Sequence, residues 1–451
     1  MEPKKSMITI AEKFRELGAS FQINPEEIVI DTTPSKADFS KISPLLYLVL
    51  NKYHGAYYIT IKGVPACLMK DAADYLLYKK ASGVNYEKDG ICRDCHYADR
   101  CPGWADTLRT ANRPGAVTYM PSEIVFEVTN RCHLSCPICF RPNRHMDMPL
   151  EMIKGFIDDC VRLGIKDVRF TGGEPLLYKH ISEALEYAKS RDRYVIVNTT
   201  ATIMNPKLRE TLKNCADNLL ISLQGYNPAT NNRLTKAEGG CGANFKAKLK
   251  NIVELNTLVD EVRLGTIISR TLLNNLPKYL YLVKSLGVKY WEMYRPMSPD
   301  QSGDFNISPE DLITIMKFMR ANKQKRKEIL IANPVPYCIS KDMGLGRSVL
   351  YGARSDDGHS RMIVDVEGFL KPSYLISKNL GRTIEEAWNN PFLTRMKTVD
   401  YLPQECRECS CLSWCKGGSR YWSKLVNGDY YDRDPLMMHE TKQENVCLNS
   451  H

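Results

Sequence analysis

The sequence lacks any long apolar segment. No run of about 18 apolar residues occurs, which argues against a transmembrane helix. The first residues, Met1 to Lys5, are not followed by the apolar core of a secretory signal peptide. Low-complexity tracts and tandem repeats are also missing. These absences favour a globular protein of the cytoplasm.

The charge balance does not identify a partner. The chain has 451 residues, a formal net charge of +10, 43% hydrophobic residues and 25% charged residues. These proportions are ordinary for a globular protein. A positive excess can attract anionic partners, but we interpret it as charge spread over solvated helix faces. Nucleic acid is therefore not an expected partner.

Cysteine is the residue type that departs from ordinary composition, with 16 copies in the chain. A secreted disulfide scaffold would be far shorter and would carry a signal peptide. In a reducing cytoplasm, clustered cysteines more often bind metal. Cys160, Cys215 and Cys241 stand apart from the clusters, and we predict that they are structural thiols.

The most informative cluster is the C-x3-C-x2-C run of Cys132, Cys136 and Cys139, which directly follows a strand-like segment. Three thiolates are one fewer than the four that fill a cubane iron–sulfur cluster. The fourth iron would then keep an open position for a substrate or a cofactor. A structural zinc site is the alternative interpretation.

The middle of the chain alternates strand and helix patterns. Strands are predicted at residues 123–128, 166–170, 194–198, 218–222, 262–268 and 289–294. Helical segments between them predict a parallel sheet covered by helices. In parallel barrels the chemistry lies at the carboxyl ends of the strands. The cysteine run follows the first strand and therefore falls at that end.

A glycine-rich turn follows the second predicted strand, in the sequence Thr171-Gly-Gly-Glu-Pro175. Glycines allow the backbone to approach a ligand closely, and we expect the amides and carbonyls here to remain accessible. Such a turn is a weak signal by itself. Its position, one β–α unit after the cysteine run, makes it informative.

Together, the cysteine spacing and the GGEP turn resemble the signature of the radical S-adenosylmethionine (radical SAM) superfamily, over roughly residues 120–300. The resemblance implies an α/β fold with a partial (β/α)6 barrel. It also implies a 4Fe–4S cluster on the three cysteines that binds S-adenosylmethionine (SAM), with a flavodoxin- or ferredoxin-like electron donor. The implied activity is reductive cleavage of SAM to a 5′-deoxyadenosyl radical, which takes a hydrogen from a substrate for an oxidative modification.

The resemblance also assigns residues to the SAM site. Gly172, Gly173 and Glu174 would lie against the methionine part of SAM. Ser222 resembles the position that contacts the ribose, and Asn198 begins a polar triplet at the end of the third strand. Ser222 and Asn198 are equally well explained as ordinary residues at strand ends.

No catalytic residue is predicted beyond the cluster and the SAM site. Glu292, Tyr294, Arg295 and Arg270 are candidate acid–base groups near the expected barrel mouth. We interpret each of them as structural or facing solvent.

The C-terminal cysteines resemble the SPASM/twitch extension found on many radical SAM enzymes. Three of them fit the first positions of its C-x2-C-x5-C-x3-C block: Cys406, Cys409 and Cys415. The last position of the block is Ser419, and Ser373 stands where the Gly-x4-Cys element that begins at Gly368 requires cysteine. One of the two auxiliary sites of this extension therefore looks lost.

The other auxiliary site is expected to hold one auxiliary 4Fe–4S cluster. Its ligands would be Cys406, Cys409, Cys415 and the distal Cys447. Cys338 or Cys411 could take the place of Cys447.

A third cysteine group lies near the N-terminus and repeats the C-x2-C-x5-C spacing. Its members are Cys92, Cys95 and Cys101, with Cys67 as the expected fourth ligand. Four thiolates suit an iron–sulfur cluster, a single iron or zinc. The repeated spacing favours a cluster, although this part has no family counterpart.

These patterns predict three domains. Residues 1–120 form an N-terminal cysteine-containing extension, residues 121–300 the radical SAM core, and residues 301–451 a SPASM/twitch-like domain for the auxiliary cluster. The leading hypothesis for the substrate is a peptide or protein that undergoes maturation. The alternatives are dehydrogenation, dehydration or crosslinking of a small molecule such as a polyol, sugar or lipid, and, more remotely, a non-catalytic iron–sulfur electron carrier.

Overall fold

A computed structural model describes most of the chain. The described residues are 2–24, 27–33, 35, 39–53, 57–69, 76–77, 84–88, 92, 101–105, 120–139, 145–236, 241–297, 303–323, 328–353, 358–409 and 411–437. Within these ranges, no helix combines the length and the apolar character needed to cross a membrane.

The N-terminal residues build a small α/β unit with its own hydrophobic core. Its elements are α1 (Glu2–Glu16), β1 (Ser20–Ile23), β2 (Glu27–Asp31), α2 (Phe39–Tyr53), β3 (Tyr58–Lys62) and β4 (Leu76–Leu77). β1 pairs antiparallel with β2, and the pairs β2 with β3 and β3 with β4 are parallel. Phe14, Ile28 and Leu46 are fully buried in its core. The short strands β5 (Tyr86–Glu87) and β6 (Trp104–Ala105) then pair with each other.

The middle of the chain alternates strands and helices, as the sequence predicts. The strands are β7 (Glu123–Thr129), β8 (Asp167–Gly172), β9 (Tyr194–Thr199), β10 (Asn218–Ser222), β11 (Glu261–Ile267) and β12 (Tyr290–Tyr294). The helices are α3 (Leu150–Arg162), α4 (Ile181–Ser190), α5 (Pro206–Cys215), α6 (Pro228–Thr235), α7 (Cys241–Leu258), α8 (Arg270–Leu273) and α9 (Leu276–Ser285).

The C-terminal residues add short strands and helices. The strands are β13 (Ile329–Ile331), β14 (Arg361–Val364) and β15 (Leu370–Lys371). The helices are α10 (Pro309–Asn322), α11 (Leu345–Val349), α12 (Ile384–Trp388), α13 (Pro391–Thr398), α14 (Gln404–Arg407), α15 (Leu412–Cys415) and α16 (Arg420–Asn427). Short 3₁₀ helices cover Ala66–Leu68, Pro175–Leu177, Gly303–Phe305 and Tyr337–Met343.

The predicted α/β class and its six parallel strands are confirmed. Among the described residues, nine strands form one sheet in the order β13-β12-β11-β10-β9-β8-β7-β14-β15. Only the pair β14 with β15 is antiparallel. The sequence did not predict that C-terminal strands extend the sheet at both ends. They supply partners for backbone groups that β7 and β12 would otherwise expose as open edges.

Several helices begin with the same local signal. Asn205, Asn227 and Ser308 cap α5, α6 and α10, and each accepts a hydrogen bond from a backbone amide of the first turn. A proline follows each cap, at a position whose amide would have no partner in the helix. These starts direct each helix back across the sheet.

The two faces of the sheet differ in polarity because successive residues of a strand point to opposite sides. One face packs fully buried residues such as Phe126, Phe170 and Leu264 against the helices. The same hydrophobic core continues into the C-terminal residues, including Trp388 and Trp414. The domain boundary near residue 300 therefore stays a proposal.

The other face carries buried ion pairs. Arg169 pairs with Glu123, and Arg263 Nη1 lies 2.7 Å from Glu292 Oε1. Tyr294 also donates its hydroxyl hydrogen to Glu292. Arg263 keeps the pKa of Glu292 below its usual range, although burial opposes this. Glu292 and Tyr294 are thus engaged in a structural network, as the sequence interpretation proposed.

Arg295 and Arg270 are engaged in ion pairs as well. Arg295 is buried, contacts Asp434 at 2.9 Å and lies over the ring of Trp422. It therefore joins the end of β12 to the C-terminal residues. Arg270 is more exposed and pairs with Asp311 on α10 at 2.9 Å.

Candidate functional site

The cysteine run lies in the loop that leaves the carboxyl end of β7. Cys132 and Cys139 are exposed, and Cys136 is half-buried. The amide of Cys139 donates to the carbonyl of Cys136 at 3.0 Å, which closes a tight turn between them. Arg131 forms an ion pair with Asp147, which anchors the start of the loop.

The electrostatics of Cys136 show that the three thiols influence one another. Burial, together with the neighbouring Cys139 and Cys132, raises the pKa of Cys136 to about 12. A thiolate at this position therefore requires a compensating positive charge, which a bound metal provides. In the described part of the chain, no three His, Cys, Asp or Glu side chains are already arranged to hold a metal ion.

The GGEP turn is hydrogen-bonded directly to the segment that precedes Cys132. The amide of Gly173 donates to the carbonyl of Thr129 at 2.7 Å, and the amide of Glu174 donates to the carbonyl of Arg131 at 2.8 Å. The expectation that the amides of this turn remain accessible is therefore wrong for these two residues. The carbonyl of Glu174 is also bonded, because it accepts from the amide of Leu177 at 3.0 Å. A ligand that met this turn would contact its remaining backbone groups.

Both glycines are required by close packing between the two motifs. A Cβ atom on Gly173 would lie 2.2 Å from the carbonyl oxygen of Arg131. A Cβ atom on Gly172 would lie 2.3 Å from the carbonyl oxygen of Thr129, and Gly172 has a φ of +150°. The neighbouring atoms belong to the backbone, which cannot move aside as a flexible side chain can.

We expect Gly173→Ala to lower the free energy of unfolding by about 1–3 kcal/mol, as overpacking does in other buried sites. It should also weaken SAM binding, because the turn and the cysteine loop must separate. Urea unfolding and calorimetric titration with SAM measure the two effects. Gly155→Ala is the matched control, since a Cβ atom there meets nothing within 4 Å. Equal unfolding midpoints for both variants would contradict the packing argument.

The carboxylate of Glu174 is fully buried and points into the protein. It accepts four hydrogen bonds, from the Thr199 hydroxyl, the Leu176 amide, and the amide and hydroxyl of Thr200. These bonds join the end of β8 to the end of β9. The sequence predicts that Glu174 lies against the ligand. In the structure its side chain is bonded within the protein, and contact of Glu174 with a ligand stays a prediction.

A hydrogen-bonded chain continues from Glu174 to the cysteine loop. Thr200 Oγ1 lies 2.8 Å from Thr202 Oγ1, which in turn lies 2.6 Å from His133 Nε2. His133 directly follows Cys132 in the sequence. The carboxyl ends of β7, β8 and β9 are thus connected through one polar network. Sequence reasoning missed His133 and Thr202, because neither belongs to a recognised motif.

We expect Glu174→Gln to lower the free energy of unfolding by about 1–3 kcal/mol, because an amide cannot accept all four hydrogen bonds and leaves a buried donor unsatisfied. Guanidinium unfolding monitored by circular dichroism measures the change. Glu186→Gln is the control, since Glu186 is exposed on α4. A variant that loses SAM affinity but keeps wild-type stability would instead support direct contact between this side chain and the ligand.

Asn198 and Ser222, the less specific candidates for the SAM site, lie on neighbouring strands of the same sheet. Asn198 Oδ1 accepts a hydrogen bond from Arg169 at 3.0 Å and so belongs to the polar face of the sheet. Ser222 ends β10, and its hydroxyl accepts a hydrogen bond from Gln224 at 2.8 Å. Contact of either residue with a cofactor stays a prediction.

Lys248 is a further residue that sequence reasoning missed. It is 1% exposed, and its ammonium donates to the carbonyl of Ser222 at 3.0 Å. A signal was present in the sequence. Lys248 follows Phe245 by three residues and precedes Ile252 by four, so it interrupts the apolar stripe of α7.

The C-terminal cysteines surround a cavity of about 210 Å³. Five of them line it: Cys338, Cys406, Cys409, Cys411 and Cys415. Burial raises the pKa of Cys415 to about 12 and that of Cys406 to about 11, and nearby Cys338 contributes to both shifts. A hydrogen bond from Cys411 lowers the pKa of Cys409. Cys447, the predicted fourth ligand, lies outside the described residues.

The two serines that replace cysteine in the C-terminal pattern line one small cavity of about 10 Å³, together with Asn333 and Trp422. Ser419 caps α16 by accepting from the Trp422 amide. Ser373 accepts from the amide of Ile376 at 3.2 Å. Both hydroxyls therefore serve the local backbone. The remaining space is no larger than about one water molecule.

The N-terminal cysteines are described only in part. Cys67 and Cys101 both pack in the N-terminal core, Cys101 as a buried residue and Cys67 as a half-buried one. Cys92 is half-buried, and Cys95 lies outside the described residues. A four-cysteine metal site in this region stays a prediction.

Two of the three predicted structural thiols are found in apolar surroundings. Cys160 is fully buried and Cys215 is 6% exposed, and both belong to the main hydrophobic core. The side chain of Cys241 is not among those described. Burial raises the pKa of Cys160 to about 12, which makes this thiol unreactive.

Comparison with known proteins places this geometry in context. Residues 126–272 match the family model of the Radical SAM superfamily. The "AdoMet-dependent heme synthase" of Methanosarcina barkeri is 24% identical over 348 residues, which cover 72% of this chain and 98% of the relative. The "PqqA peptide cyclase" of Granulibacter bethesdensis is 21% identical over 338 residues, which cover 70% of this chain and 86% of the relative.

The fold is similar to that of a solved structure. The crystal structure of Streptococcus suis SuiB bound to precursor peptide SuiA has a TM-score of 0.58 and 14% sequence identity. The similarity covers 71% of this chain and 76% of SuiB. At this level of identity, it shows a shared fold.

Proposed function

Because residues 126–272 form a radical SAM domain, we propose that the chain is an enzyme that cleaves SAM reductively and uses the resulting radical for the oxidative maturation of a peptide. The observation that carries this proposal is the direct hydrogen bonding of the GGEP turn to the segment before Cys132. It joins a ligand-orienting turn to a three-thiol set at the carboxyl edge of parallel strands.

The residues of the site fit the cofactors of this family. Cys132, Cys136 and Cys139 provide three soft thiolate ligands for a 4Fe–4S cluster. When bound, this cluster supplies the open iron and the electron for cleavage of SAM. The glycines bring backbone carbonyls close to the loop, and the buried bonds of Glu174 hold that turn in place. These residues would thus position the cofactor.

A peptide substrate is supported by the similarity to a PqqA peptide cyclase over 70% of the chain and by the fold shared with a SuiB structure that holds a precursor peptide. A second candidate is a tetrapyrrole, because the relative named as a heme synthase is matched over 98% of its length. We take the peptide as the leading candidate. A flavodoxin- or ferredoxin-like electron donor and a cytoplasmic location complete the proposal.

We also propose a revised ligand set for the auxiliary cluster. Cys338 takes the place of Cys447 as a ligand beside Cys406, Cys409 and Cys415. The support is that Cys338 lines the same cavity as these three cysteines. Cys411 also lines this cavity and is the alternative to Cys338 in that position. The N-terminal cysteines are proposed to hold a third cluster, an iron or a zinc ion.

Anaerobic reconstitution tests the proposal. Roughly 8 to 12 iron atoms per chain are expected, from four per cubane cluster, and incubation with SAM and dithionite should release 5′-deoxyadenosine. Candidate peptides and tetrapyrroles with deuterium at exchange-stable positions then compete for transfer of deuterium into 5′-deoxyadenosine. Iron-loaded protein that leaves SAM intact would overturn the enzymatic proposal. Transfer from a tetrapyrrole alone would overturn the peptide substrate.

A further inference from the structure

The cysteine loop is held at its start by the GGEP turn and further along by α6. At the start, the carbonyls of Thr129 and Arg131 accept the amides of the turn. Further along, the amide of Ser135 donates to the carbonyl of Thr235, the last residue of α6, at 3.2 Å. A segment that is distant in sequence therefore contacts the loop between its first and second cysteines.

A patch of apolar side chains, the loop patch, lies beside the middle of the same loop. Ile138, Leu234 and Phe305 form it as buried residues, and Cys136 and Ile267 pack against it. Ile138 directly precedes the last cysteine of the run. The loop patch therefore joins the second half of the cysteine loop to α6 and to the 3₁₀ helix that ends at Phe305.

Phe305 is fixed by polar contacts of the residues on both sides of it. The carboxylate of Asp304 accepts from the amide of Thr271 at 2.9 Å and from its hydroxyl at 2.7 Å. On the other side, Arg270 donates to the carbonyl of Asn306 at 2.9 Å. Both donor residues belong to α8. The backbone around the phenylalanine is thus held by α8 and not by the cysteine loop.

We propose that Phe305 is a positioning residue that holds the second half of the cysteine loop in place for the 4Fe–4S cluster. This inference rests on the proposed function. Cys132 and Cys139 are exposed, whereas Cys136 packs against the loop patch. Three thiolates retain a cluster only while they keep their relative positions. The ring acts on those positions through packing, because burial of its apolar surface opposes local opening of the loop.

Hydrogen–deuterium exchange of the full-length chain without iron measures the loop directly. For Phe305→Ala, the amides of residues 132–139 should exchange about tenfold faster, because part of the packing energy that opposes local opening is lost. Phe305→Leu keeps an apolar side chain and should stay close to wild type. Phe156→Ala is the matched control, since Phe156 is also 7% exposed but packs in the main hydrophobic core.

Retention of the 4Fe–4S cluster is measured on the reconstituted, dithionite-reduced full-length chain. The electron paramagnetic resonance signal that changes when SAM is added separates this cluster from any other. Its decay is followed anaerobically after addition of the chelator ethylenediaminetetraacetate. The decay should be about tenfold faster in Phe305→Ala than in wild type, for the same reason. Asp304→Ala removes the anchor but leaves the ring, and it should accelerate both exchange and decay.

The outcomes separate this inference from the proposed function. Unchanged exchange of residues 132–139, or unchanged decay of the signal, in Phe305→Ala overturns the role of Phe305. Equal acceleration in Phe156→Ala would show a general loss of stability and overturns it as well. If Phe305→Ala does not fold, wild-type exchange and decay in Asp304→Ala overturn the proposal. Wild-type protein without a SAM-responsive signal overturns the proposed function itself, while exchange still tests the packing of the loop.

Discussion

Replacement of Cys132, Cys136 or Cys139 with alanine is expected to reduce release of 5′-deoxyadenosine from SAM to the level seen without protein. Each replacement leaves two thiolates in the loop, too few to retain a cubane cluster that already has an open iron. The proposed site then lacks its electron source. Iron content should fall by about four atoms per chain, while the far-ultraviolet circular dichroism spectrum stays unchanged.

The physical reason for a complete loss, and not a partial one, lies in the surroundings of these thiols. Cys132 and Cys139 are exposed, so alanine there removes a ligand without opening a cavity in the core. No other cysteine is placed in this loop among the residues described. A neighbouring thiol is therefore not at hand to rescue the cluster.

Cys215→Ala is the matched control, since this thiol packs in the hydrophobic core away from the loop. It should retain iron and SAM cleavage, with only a modest loss of stability. Liquid chromatography of quenched anaerobic reactions measures 5′-deoxyadenosine for all four variants. Substantial cleavage by Cys136→Ala would show that the radical SAM cluster is held elsewhere.

Cys338→Ala is expected to lose the auxiliary cluster, about four iron atoms per chain, whereas deletion of residues 438–451 should leave it in place. The deletion removes Cys447, the ligand predicted from sequence, but spares every residue that lines the cavity of the C-terminal cysteines. Cys338 lines that cavity from the 3₁₀ helix Tyr337–Met343. Along the chain, strands β14 and β15 lie between this helix and the other cysteines of the cavity.

Iron counting and Mössbauer spectroscopy of both variants distinguish the two ligand sets. Cys447→Ala in the full-length chain is the control for effects of the deletion on folding. If the deletion and Cys447→Ala both lose four iron atoms while Cys338→Ala keeps them, Cys447 is the ligand and the revised set is wrong. SAM cleavage should persist in each variant, because Cys132 lies in a different loop.

Much of the fold could be predicted because its signals are local. The six strands show as short apolar runs, and helix starts such as Asn205 with Pro206 show as adjacent residues. Parallel pairing then brings the carboxyl ends of β7 and β8 to one edge. This is why the cysteine run and the GGEP turn could be placed together in advance. The pairing of β14 with β7, which joins Arg361 to Glu123, left no such local signal.

The candidate site, like the fold, was predictable only where its signals are local in the sequence. The sequence indicated the motif residues, but it misjudged the amides of Gly173 and Glu174, because their partners lie on the neighbouring strand end. It also left Lys248 unnoticed, since a lysine within a helix is usually solvated. The structure shows that this lysine is buried, which is unusual for a charged side chain.

The sequence by itself determined the chemistry that this protein can perform, since the number, type and spacing of thiols are covalent properties of the chain. The tertiary structure decided which thiols share a cavity, which amides are already bonded and which cation is kept from water. These properties depend on contacts between segments that are distant along the chain. Burial at those contacts sets the energetic cost of each charge, and with it the role that each residue can take.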